Sequence, residues 1–129
     1  MKNEFVPYEQ ALALKELGFD EPVLAKWIWD ECPELMIKGN KYMWTEGEIK
    51  SGKIKHWKAP LYQQAFRWFR EKYGLISYVH PLALLQDTKK WCYEITNFES
   101  SWDEDSDLHT LEEAELACLL ELINICKKK

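Results

Sequence analysis

Residues 111–126 limit most what this chain can become. Leu111, Ala114, Leu116, Ala117, Cys118, Leu119, Leu120, Leu122, Ile123 and Ile125 leave almost no polar face. The start is marked as well. Thr110 is followed three residues later by Glu113, the pattern in which a hydroxyl and a carboxylate satisfy each other's backbone N–H groups. Glu112, Glu113 and Glu115 crowd the positive end of the helix dipole, and Lys127, Lys128 and Lys129 the negative end. The spacing predicts a helix over 111–126. A helix that is apolar nearly all round must be covered on more than one side, so a sheet or a second chain has to lie against it. Cys118 and Cys126 fall within the apolar pattern and read as small core residues.

Two more helices are punctuated by the same residue types. Pro7 and Pro60 suit a first helical turn, where a missing N–H costs nothing, and Gly18 and Gly74 suit the left-handed position after a last turn. Helices are expected over 7–17 and 60–73. In the second, Tyr62, Ala65, Phe66, Phe69 and Tyr73 recur at three- and four-residue steps and form one face. Phe66 and Phe69 should therefore be nearly fully buried.

The remainder reads mainly as strands. Residues 75–84 and 89–98 form the stronger pair, with Trp91, Tyr93 and Ile95 alternating against Cys92, Glu94 and Thr96. Residues 35–38 and 41–45 flank Gly39 and Asn40, which suit a hairpin turn. Residues 48–50 and 53–55 flank Ser51 and Gly52 in the same way. Residues 22–30 fit a strand or a short helix; Pro22, Ala25 and Lys26 favour the helix. Residues 99–109 read as an acidic loop. The expected fold class is α+β: a small antiparallel sheet packed against two or three helices, in a single domain spanning 1–129.

Composition excludes whole classes. Seven Trp, six Tyr and five Phe supply too much apolar area for a wholly disordered chain. No apolar run approaches the roughly 20 residues needed to span a bilayer, and Met1 to Glu4 lead into no export signal. A reducing cytoplasm is the expected setting, without disulfides. The net charge of −5 is unevenly spread. Residues 38–72 carry +6, which leaves −11 for the rest, and residues 99–115 hold eight acids with no Lys or Arg. Such separation can orient a partner.

The signatures of catalysis and of metal or cofactor binding are absent. The five glycines are scattered singly, no GxSxG or HExxH occurs, and Cys32, Cys92, Cys118 and Cys126 form no CxxC pair. His56, His80 and His109 are far apart and adjoin no nucleophile in sequence. Asp103, Asp105 and Asp107 imitate the start of a calcium loop, but Leu108 stands where a turn glycine is needed and Ala114 where a bidentate glutamate is needed. The expectation is no catalytic residue, no metal and no cofactor. The order of helix 60–73, two strands and helix 111–126 is similar to a double-stranded-RNA-binding domain. That reading demands lysines at the last helix's start to hold phosphates, where this chain has glutamates, and a third strand is hard to fit.

The candidate binding surface is the basic, aromatic segment 38–58. Lys41, Tyr42, Trp44, Lys50, Lys53, Lys55, His56, Trp57 and Lys58 combine charges that neutralise phosphates with rings that stack on bases. Glu46 and Glu48 interrupt this track, and no Arg precedes Arg67. Contact with a protein partner or a second copy is therefore the leading expectation, and single-stranded nucleic acid the alternative.

Three stretches carry a resemblance: VPYEQALALKELGFDEP at 6–22, APLYQQAFRWFREKYG at 59–74 and LEEAELACLLELI at 111–123. Together they resemble a family of small uncharacterised proteins from phages and mobile elements of gut Bacteroidetes-type bacteria. The resemblance implies a phage or bacterial origin and synthesis in the cytoplasm, and it brings no activity with it.

Overall fold

A computed structural model describes residues 4–30, 32–37, 55–81, 90–108 and 110–128. The chain divides into two compact units, Met1–Leu61 and Tyr62–Lys129, each described here by itself.

The first unit contains α1 (Tyr8–Glu16), β1 (Ala25–Asp30), β2 (Cys32–Ile37) and β3 (Lys55–Lys58). Pro7 stands at the N-cap of α1 in an extended conformation. Gly18, at φ +98°, closes the helix as only glycine does cheaply. Its N–H donates to Lys15 O at 3.0 Å, and the Phe19 N–H to Leu14 O at 2.9 Å. The sheet has the antiparallel order β2-β1-β3. Residues 25–30, favoured as helix from the sequence, are thus a strand. Ala25 and Lys26 prefer a helix only weakly, and pairing on both edges of β1 overrides that preference. Phe5, Ala25 and Ala59 form a buried cluster with Trp27, Leu35, Ile37 and Leu61 packed against it. The turns expected at Gly39–Asn40 and Ser51–Gly52 lie outside the described residues.

The second unit contains α2 (Tyr62–Tyr73), β4 (Ile76–Pro81), β5 (Trp91–Thr96), β6 (Ser101–Leu108) and α3 (Leu111–Lys127). Its three strands form an antiparallel sheet in sequence order. Of the expected face, α2 buries Tyr62, Ala65, Phe66 and Phe69 and half-buries Tyr73, and it buries Trp68 as well. Phe66 is 8% exposed and Phe69 not at all. Thr110 caps α3, its Oγ1 accepting from the Glu113 N–H at 3.1 Å. α3 packs against both α2 and the sheet, which gives its broad apolar surface the two-sided cover it needs.

Residues 101–108 correct the acidic-loop expectation, because they form β6. The reversal before them explains why. Asn97 Oδ1 accepts from the N–H groups of Glu99 at 3.0 Å and Ser100 at 2.8 Å. Phe98 takes a positive φ of 74°. The chain then returns along β5. Asp and Ser are poor strand formers, but a specified turn and a waiting partner strand outweigh local preference. Acids also suit an edge strand, where charge discourages further pairing.

The fold is α+β. The single sheet that was expected is replaced by two of three strands each. β6 also supplies the third strand that a double-stranded-RNA-binding domain needs between helices 60–73 and 111–126. The glutamates at the start of α3 still oppose a phosphate-binding role there.

Candidate functional site

Of the nine expected surface residues, Lys55, His56, Trp57 and Lys58 make up β3. Lys41, Tyr42, Trp44, Lys50 and Lys53 lie outside the described residues. β3 pairs with β1 in the register Lys26↔Lys58, Trp27↔Trp57 and Ile28↔His56. The Tyr8 ring meets Trp27 edge-on with centroids 6.1 Å apart, and Trp57 likewise at 5.4 Å. Trp27 Nε1 donates to Val6 O at 2.8 Å. Trp57 is therefore partly buried and packed against Tyr8. Lys58 Nζ donates to Asp20 Oδ1 at 3.0 Å and to Asp20 O at 3.1 Å. Lys55 is exposed.

α1 and β3 enclose a cleft of about 140 Å³ lined by Ala11, Lys15, Phe19, Asp20, His56, Trp57 and Lys58. Burial, then the nearby Lys26 and Lys15 ammonium groups, hold the His56 imidazole below its ordinary pKa. Its Nδ1 is buried with no hydrogen-bond partner among the described residues. Lys26 and Lys58 stand directly opposite each other on paired strands, a like-charge arrangement that weakens a sheet. Sequence reasoning missed Lys15 and Lys26. Lys15 belongs to a distant helix, and only the strand register places Lys26 beside Lys58.

The second unit has an open groove of about 630 Å³ between α3 and the β5–β6 edge. Leu108, Ala117, Leu120 and Ile123 give it an apolar lining, with Glu121 and Lys127 among its polar residues. Leu120 is 46% exposed although its neighbour Leu119 is fully buried. Sequence alone could not separate these two leucines, because nearly every α3 position is apolar.

β4 and β5 also bring His80 opposite Cys92. The Sγ lies 3.4 Å from both His80 ring nitrogens. An in-plane sulfur at that distance would collide with the Cε1–H between them, so it sits over the ring face. His80 Nδ1 donates to Pro81 O at 3.0 Å. Neither nitrogen points a lone pair at the thiol, so this geometry cannot pass its proton to the imidazole. At Cys118 burial, against a lowering hydrogen bond from Ser77 and with Glu115 and Glu121 adding to it, pushes the thiol up to about 12, which disfavours the thiolate. Asp103, Asp105 and Asp107 occupy alternate positions of β6. Among the described residues no three His, Cys, Asp or Glu side chains are grouped to hold a metal ion, and no helix is long and apolar enough to cross a membrane.

No protein-family model, no curated protein and no solved structure matches the chain.

Proposed function

We propose that this chain is a non-enzymatic binding or accessory protein that works through protein–protein contacts made by the Leu120 face of α3. The carrying observation is the open groove of about 630 Å³ beside that face, with a mixed apolar and polar lining and Leu120 nearly half exposed on it. A single exposed leucine means little. Here Leu120 stands beside Leu108 and Ala117 in an open groove that Glu121, Asn124 and Lys127 also line, so a partner seated there would bury the leucine and meet polar groups around it.

The chain's own charges suit a second copy as the partner. Residues 38–72 carry +6 and residues 99–115 carry eight acids, a charge separation along the chain that would steer two copies together. The resemblance to phage and mobile-element proteins bears only on setting, the cytoplasm of a bacterial or infected cell. Amide NMR spectra at two protein concentrations test this. Concentration-dependent shifts should concentrate in residues 117–124 and the β5–β6 edge; their absence there would sink the proposal.

A second reading, single-stranded nucleic-acid binding, draws on Lys15 and Lys26 standing near the basic β3. Trp57 packs against Tyr8 and Lys58 is paired with Asp20, which removes one stacking ring and engages one lysine. Micromolar binding to oligonucleotides at about 150 mM salt, falling steeply as salt rises, would favour it.

A further inference from the structure

We propose that the cleft between α1 and β3 binds a phosphate dianion, free or as the monoester of a small molecule, through Lys15 and Lys58, with Lys26 and His56 responding to its charge. This goes beyond the protein-contact reading, because the cleft lies in the first unit and the groove in the second.

Charge comes first. Lys26 and Lys58 face each other across β1 and β3, and Lys15 joins Lys58 in lining the cleft. Asp20 is the only acid in the lining among the described residues; it pairs with Lys58, and its side chain is 92% exposed. Among the described residues, three ammonium groups and one acid leave net positive charge around a partly buried imidazole. A bound dianion would relieve that repulsion.

Size selects the ligand. A cavity near 150 Å³ accommodates a ligand about as large as benzene. About 140 Å³ therefore takes a phosphate group and a few further atoms, and the remainder of any larger molecule would lie outside the cleft. Local backbone does not oppose an anion strongly. The α1 carbonyls of Ala13, Leu14 and Lys15 already accept from Leu17, Phe19 and Gly18, so these negative ends are partly satisfied.

His56 reports occupancy. Among the described residues the charged groups around it are Lys15 from α1, Lys26 from β1, Lys55 and Lys58 on its own strand and Asp20 after α1, with Glu34 two strands away in the same register row. No group among the described residues holds the His56 Nδ1 in a fixed hydrogen bond. A bound dianion offsets the two lysines that keep the ring neutral. Binding should therefore raise the affinity of His56 for a proton, and protonation should tighten binding by the same factor.

The full chain is titrated with inorganic phosphate, glycerol phosphate and sulfate, following the His56 ring proton by NMR. His56→Gln assigns the signal, and chloride at matched ionic strength is the control. The expected result is a saturable shift of His56 with phosphate or its ester, a raised His56 pKa and an unmoved His80. The tighter of the two phosphate ligands identifies the source. Lys15→Met, at an exposed position, should weaken binding about fivefold, and Lys26→Met similarly. Three results would each overturn the proposal: chloride reproducing the shift, all histidines moving alike, or Lys15→Met leaving affinity unchanged in a folded protein.

Discussion

Leu119 and Leu120 are adjacent on α3 and have opposite surroundings, so truncating each to alanine separates packing from partner contact. Leu119 is fully buried. Leu119→Ala removes apolar atoms worth about 0.8 kcal/mol per buried methylene and leaves a cavity within a helix covered on two sides. The expected cost is about 3 kcal/mol, inside the roughly 2–5 kcal/mol range for such changes. Leu120 is 46% exposed and lines an open groove, so no sealed cavity forms. Leu120→Ala should cost under about 1 kcal/mol. Urea denaturation followed by far-UV circular dichroism resolves the difference. With m near 1–3 kcal/mol/M, Leu119→Ala should lower the midpoint by about 1–3 M, and Leu120→Ala should barely move it. Equal midpoint shifts for the two variants would refute the assignment of Leu120 to an outward, partner-facing role.

Three further outcomes follow from particular contacts. Thr110→Ala removes the acceptor of the Glu113 N–H and should cost about 1 kcal/mol; an unchanged denaturation midpoint would show that the cap does not hold α3. Phe69 is fully buried, with the Trp68 ring 5.0 Å away edge-on, so Phe69→Ala should cost about 3–5 kcal/mol by the same measurement. The folded-state pKa of His56 is lowered, so the unfolded chain binds more protons as pH falls. The His56 contribution is therefore full above about 6.5, the unfolded value, and is lost as pH drops toward the folded value. Lys15→Met should shrink this loss, as seen in denaturation midpoints between about pH 7.5 and 5; an unaltered pH dependence would show that Lys15 does not act on His56.

What could be read in the sequence was what local chemistry specifies. The three helices carry their own start and stop residues: Pro7 and Gly18, Pro60 and Gly74, and the Thr110 cap with the lysines after α3. Their positions and the burial of Phe66 and Phe69 could accordingly be read along the chain. β1 and β6 could not, because their conformation depends on distant partners. Lys26 becomes part of a strand by pairing with Met36 and Lys58, and the acids of β6 are held extended by β5. The candidate sites show the same division. His56, Trp57 and Lys58 were singled out by composition. Their companions Lys15, Asp20 and Lys26 arrive through tertiary packing, as does the meeting of His80 with Cys92. The exposure of Leu120 is a property of how α3 is covered, which no periodicity within an almost uniformly apolar helix can express.

The most direct test of the protein-contact reading is sedimentation equilibrium of the intact chain and of Leu120→Glu, over about 5–200 µM protein at low and high salt. A second copy held by the Leu120 face and by complementary charges predicts a reversible dimer of the native chain. It should weaken as salt screens the charges and be lost in Leu120→Glu with the fold retained. A native chain that stays monomeric throughout, or a Leu120→Glu variant that associates as strongly as the native chain, would contradict the account.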